Sequence, residues 1–91
     1  MARIDVACEP TDDGWACRVE VTDNGTSTTH RVGVANRELA RLDPGAGDPT
    51  ELVRRSFVFL LEREPKESIL RSFDLPLIGH YFPDWERRIG R

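Results

Sequence analysis

Asp48–Arg63, D-P-T-E-L-V-R-R-S-F-V-F-L-L-E-R, reads as a helix with a defined start, and the rest of the chain has to pack around it. Asp48 is placed to accept from the first free backbone N–H groups, Pro49 stands where a missing N–H costs nothing, and Glu51 completes a capping box. Leu52, Val53, Ser56, Phe57, Leu60 and Leu61 recur at helical spacing. Val58 and Phe59 widen the stripe until Phe57–Leu61 is apolar nearly all the way round, so the helix should be covered on more than one side.

Upstream, the pattern switches to strict alternation. Ile4, Val6 and Cys8 oppose Arg3, Asp5 and Ala7; Trp15, Cys17, Val19 and Val21 oppose Ala16, Arg18, Glu20 and Thr22. Both stretches read as strands with one apolar face. Asn24-Gly25 is the dipeptide of a two-residue type I′ turn. It sets Val21 opposite Thr28, Val19 opposite His30, Cys17 opposite Val32 and Trp15 opposite Val34. Treating Glu9–Gly14 as the first connection puts Cys8 opposite Trp15, Val6 opposite Cys17 and Ile4 opposite Val19. The far face carries Arg3, Asp5, Arg18, Glu20, Thr29 and Arg31, polar enough to meet water.

Asn36 is expected to cap a short helix through Leu42, before Asp43-Pro44-Gly45-Ala46-Gly47 breaks the chain. Pro65 should end the central helix and open a second, 65–73, with Ile69, Leu70 and Phe73 inward; a third, 75–82, offers Leu77, Ile78, Tyr81 and Phe82. The expected architecture is α+β in two layers: a three-stranded antiparallel meander, a long central helix, and a C-terminal helical pair. It forms one domain, 1–91, with its sheet in 1–35 and its helices in 36–91.

With 38% hydrophobic and 32% charged residues and no apolar run beyond five, the chain reads as a globular domain without a membrane span. The first residues lack a signal-peptide core, which points to the cytoplasm and to cysteines that stay reduced. The net charge of −3 is split: residues 50–91 carry eight cations against seven carboxylates, interleaved rather than clustered. That pattern weighs against a polyanion partner.

Chemistry-bearing residues are scattered. Cys8, Cys17 and His30 fall on one face, but C-x8-C-x12-H lacks the close cysteine pair of a zinc site, and an apolar core accounts for them. Ser56 lies on the packed stripe, and no nucleophile elbow, phosphate loop or dinucleotide fingerprint is present. Neither an enzyme nor a cofactor is expected. The helices 65–73 and 75–82 have the outline of a helix-turn-helix, yet the would-be reading helix is apolar and bounded by Pro76 and Pro83.

Ser56-Phe57-Val58-Phe59-Leu60-Leu61-Glu62-Arg63-Glu64-Pro65, continuing Ser68-Ile69-Leu70, Phe73-Asp74-Leu75 and Tyr81-Phe82-Pro83, resembles the signature of a small, functionally uncharacterised prokaryotic family. The resemblance covers residues 50–85, implies a self-contained domain and carries over no site residues. A looser likeness in element order is shared with small antitoxin-type proteins.

The function expected is therefore that of a non-catalytic, accessory or regulatory protein acting by binding another protein or a copy of itself. Thr26–Ala35 is an outer strand with Arg31 as its main guard, so Thr28, His30 and Val32 are candidate contacts by strand addition. Tyr81 and Trp85 are interface-type aromatics, and Arg87, Arg88 and Arg91 form a basic tail. The alternative is a nucleic-acid-binding or antitoxin-like regulator using the C-terminal helices and that tail.

Overall fold

Asn24 and Gly25 take up positive φ angles of 54° and 79°, the left-handed pair that a type I′ turn requires. The computed structural model describes residues 2–90. Its elements are β1 (Arg3–Pro10), β2 (Gly14–Asp23), β3 (Thr26–Ala35), α1 (Asn36–Leu42), α2 (Thr50–Leu61), a 3-10 turn (Lys66–Ser68), β4 (Ser72–Asp74), α3 (Leu77–Tyr81) and α4 (Trp85–Ile89). The class is α+β. Strand order is β1-β2-β3-β4, with β4 parallel to β3, so the sheet is mixed and four-stranded rather than a three-stranded meander.

The β2–β3 register is the expected one, from Trp15↔Val34 to Val21↔Thr28. The β1–β2 register is displaced by two residues from the expectation: Cys8 faces Cys17, Val6 faces Val19 and Ile4 faces Val21. The strands run further into the connection than its turn-forming residues suggest, leaving residues 11–13 as the loop, closed by the Thr11 N–H donating to the Gly14 carbonyl at 2.8 Å. Gly14 permits this because a Cβ there would come within 2.3 Å of the Val34 carbonyl oxygen. A two-residue shift keeps every side chain on its face. It also sets the two cysteines directly opposite, 4.0 Å apart at Cα, and they form a disulfide. The expectation of reduced thiols, which rested on the rarity of disulfides in a cytoplasmic chain, is thereby corrected: the observed register brings the two sulfurs together.

α2 buries Leu52, Val53, Ser56, Phe57, Phe59 and Leu60. Asp48 Oδ1 accepts from the Thr50 N–H at 2.8 Å, as expected, but Glu51 pairs with Arg54 instead of completing a capping box. The helix ends at Leu61, and Val58 stays 48% exposed, so the apolar girdle is not covered all round. The Phe57 ring lies 5.3 Å from the His30 ring and 6.2 Å from that of Phe73, joining helix, sheet and C-terminal segment.

The helix expected over 65–73 does not form, and the one expected over 75–82 is confined to the short α3, Leu77–Tyr81. Pro65 and Ile69 are extended (ψ 156° and 133°) and bracket only the 3-10 turn. The chain then runs along β3, where the Arg31 N–H donates to the Arg71 carbonyl at 2.7 Å and the Leu75 N–H to the Gly33 carbonyl at 2.9 Å. Backbone groups of β3 that would otherwise lack ladder partners outweigh the local helical pattern of Ile69–Phe73. Leu70, expected inward, is exposed, while Ile69 is buried. Trp85–Ile89 is helical and buries both of its end residues, so this part of the expected tail is core; Arg91 lies outside the described residues.

Phe57 meets three elements at once. Phe57→Ala should cost about 3–5 kcal/mol and Leu60→Ala about 2–5 kcal/mol, measured by chemical denaturation; losses under about 1 kcal/mol for both would contradict this packing.

Candidate functional site

The residues expected to form a contact surface divide sharply. Thr28, His30 and Val32 lie on the inner face of β3 and are buried. The Leu70 carbonyl can only accept, so the His30 Nδ1–H donates to it at 2.8 Å, and the neutral ring then accepts at Nε2 from the Thr28 hydroxyl, also at 2.8 Å. The ring therefore has both nitrogens engaged, not one in water as its position at a sheet end suggests. It clasps the segment leading into β4 against the sheet.

Trp85 is 0% exposed, and its Nε1–H donates to Ser56 Oγ at 3.1 Å while the Ser56 hydroxyl donates to the Leu52 carbonyl at 2.8 Å. Both belong to the packing of α4 against α2 and neither is available to a partner. Tyr81, Arg87 and Arg88 are exposed, but the basic groups nearby are tied up: Arg41 with Glu38 and Glu86, Arg55 with Asp43, Arg63 with Asp84. The sulfurs of Cys8 and Cys17 are bonded to each other. Among the described residues, no three His, Cys, Asp or Glu side chains are grouped to hold a metal.

Tyr81, 63% exposed, stands with Leu70 on the rim of a mostly apolar groove of about 220 Å³ floored by Leu60, Ile69 and Phe82. Glu64 also lines it, and burial pushes its carboxyl above the usual carboxylate range.

The edge that sequence reasoning selected, β3, is closed where β4 pairs with Arg31–Gly33 and where His30 holds Leu70. The open edge is β1. Hydrogen-bond parity shows how it is presented. The bond from the Thr11 N–H to the Gly14 carbonyl makes the odd-numbered residues of β1 those that bond to β2, and the close Cα approach of Cys8 and Cys17 marks the even ones as the non-bonded pairs. Ile4, Val6 and Cys8 consequently aim their N–H and C=O groups outward, away from β2. Pro10 has the same parity, so its missing N–H falls on the outer side and costs no ladder bond. The side chains of Ile4, Val6 and Cys8 are only half-buried against the core. At the Ile4 end runs a groove of about 800 Å³ lined by Ile4, Val58 and Leu61 and by the charged Asp23, Glu62 and Lys66. The alternation in residues 3–8 is the sequence signal for this site; what hid it is that β4, which decides which edge stays open, comes from a segment that reads as helix.

Compared with known protein families, with characterised proteins and with solved structures, the chain matches none.

Burial holds the His30 imidazole below its ordinary value, with the charge of Arg71 adding to the effect and the Leu70 hydrogen bond opposing it. The unfolded ring binds a proton near pH 6.5, so as pH falls through that value the unfolded state gains a proton that the folded ring refuses. Stability should be full above about pH 7 and drop below it, by up to about 1.4 kcal/mol per pH unit, until the folded pKa is passed. Denaturation at stepped pH should show this component in the native chain and not in His30→Gln; equal slopes in both would contradict it.

Proposed function

We propose that this chain is a non-catalytic protein-interaction module that receives a strand from its partner on the open edge of β1. One observation carries the reading: Ile4, Val6 and Cys8 turn backbone groups outward along one line where no other strand among the described residues pairs with them, with a half-covered apolar strip directly behind them. Exposed edge groups of this kind are what strand addition satisfies, and the apolar strip supplies side-chain burial with it. The residues of the kinds that block such pairing are placed to leave the apolar strip open. Arg3, Asp5 and Glu9 lie on the outer face rather than across the apolar strip, and Pro10 stands at the strand's end.

Several side chains of the types that nucleophilic catalysis draws on are committed to packing. Ser56 bridges Trp85 and Leu52, His30 bridges Thr28 and Leu70, and the cysteines are joined. The reading thus keeps the expected class of function and moves its surface from β3 to β1.

A photoreactive side chain in place of Ala7, exposed on β1, tests it in cells that produce the full chain, with the same group in place of Ala40 on α1 as control. The expected result is a protein adduct at position 7 only, identified by mass spectrometry and lost when Val6→Pro is added. Val6→Pro removes an outward N–H and leaves the β1–β2 ladder its bonds. No adduct at position 7, or one undiminished by Val6→Pro, would overturn the proposal.

A further inference from the structure

From the charge pattern along β1 we infer that the partner on this edge is a second copy of the same strand, paired antiparallel about a two-fold axis through Val6. The inference rests on the strand-receiving reading above and names its occupant. Two-fold pairing of a strand with itself places residues on the same face only in certain registers, and those can be compared one by one.

Centred on Val6, the pairing sets Val6 against its own copy, Ile4 against Cys8, Asp5 against Ala7, and Arg3 against Glu9 twice over. Every opposed charge is then of opposite sign. Centring on Asp5 opposes two aspartates, and centring on Ala7 opposes Asp5 to Glu9, both destabilising across a strand pair. Centring on Ile4 keeps opposite charges together but shortens the overlap to residues 2–6. The register through Val6 is therefore the longest one that opposes no like charges.

Hydrogen-bond parity is met by this register, as by the others that keep like faces together. Because Ile4, Val6 and Cys8 carry the outward groups, the pairs Ile4–Cys8, Val6–Val6 and Cys8–Ile4 are all of the hydrogen-bonded type, giving about six ladder bonds. Arg3 lies 3.2 Å from Asp5 of its own strand, both side chains well exposed, so it is free to swing between Asp5 and the Glu9 facing it. On the inner face Val6 meets its copy and Ile4 meets Cys8, half-buried side chains that the pairing covers further, with the exposed Val58 near Ile4 of its own copy. The product is a continuous sheet running through both copies.

Sedimentation equilibrium of the full chain, from about 1 µM to about 1 mM, reads the assembly directly. A concentration-dependent dimer is expected, weakened about tenfold by Arg3→Glu or Glu9→Arg alone and restored by the two together. Both positions are exposed, so circular dichroism should show these variants folded. A chain that stays monomeric throughout, or a double variant no tighter than the single ones, would overturn the inference. If instead the position 7 adduct is to a different protein while the chain sediments as a monomer, self-pairing fails and the strand-receiving reading stands; if no position 7 adduct forms at all, both fail.

Discussion

The two-residue turn at Asn24-Gly25 sets the parity of the sheet, and most of the molecule follows from it. With two left-handed residues and no more in the loop, Asp23 faces Thr26 and the odd residues of β2 bond to β3, which leaves the even ones for β1. The same parity puts Cys17, Val19 and Val21 into the core. It leaves Arg31 and Gly33 with outward groups on one edge and Ile4, Val6 and Cys8 with outward groups on the other. One edge is satisfied from within the chain and the other is not.

How the first edge is closed explains the form of the C-terminal half. Residues 70–75 are held extended by the parallel pairing of β4 with β3, by two flanking backbone bonds and by the His30 ring, and Lys66, almost fully buried, anchors the preceding turn by donating from Nζ to the Asp23 carbonyl at 3.1 Å. Once that segment is extended, α2 needs another cover for Ser56 and Phe59. Trp85 and Phe82 provide it, Trp85 by hydrogen bond and Phe82 edge-on to Phe59 at 5.9 Å. Val58, on the side toward β1, has no such cover, and the uncovered helix flank and the open strand edge adjoin.

Much of this was legible in the residues. The β2–β3 hairpin and α2 carry local signals, a turn dipeptide and a helical stripe, that tertiary structure reinforces. The first hairpin was legible only to its sidedness, because Glu9–Gly14 holds several turn-forming residues and nothing local says that Pro10 and Gly14 remain in strands; the disulfide depended on that two-residue difference. β4 was hidden because its pairing partners lie 41 positions upstream, while Ile69, Leu70 and Phe73 fit a helical period. Trp85 read as an interface aromatic near a basic end because its partner, Ser56, is 29 residues away. His30 and Thr28 read as edge contacts for the same reason. The disulfide removes the reduced cysteines expected of a cytoplasmic chain; that no helix among the described residues is long and apolar enough to cross a membrane is independent of it.

The central claim is that β1 is an edge whose even-numbered amides await a strand from a second copy. Residue-resolved hydrogen exchange measures that claim most directly. In dilute solution the amides of Asp5, Ala7 and Glu9, bonded to β2, should be protected while those of Ile4, Val6 and Cys8 exchange freely, and raising the protein concentration should protect the second set. Equal protection of both sets at dilution, or an even-numbered set that stays unprotected at every concentration, would contradict it.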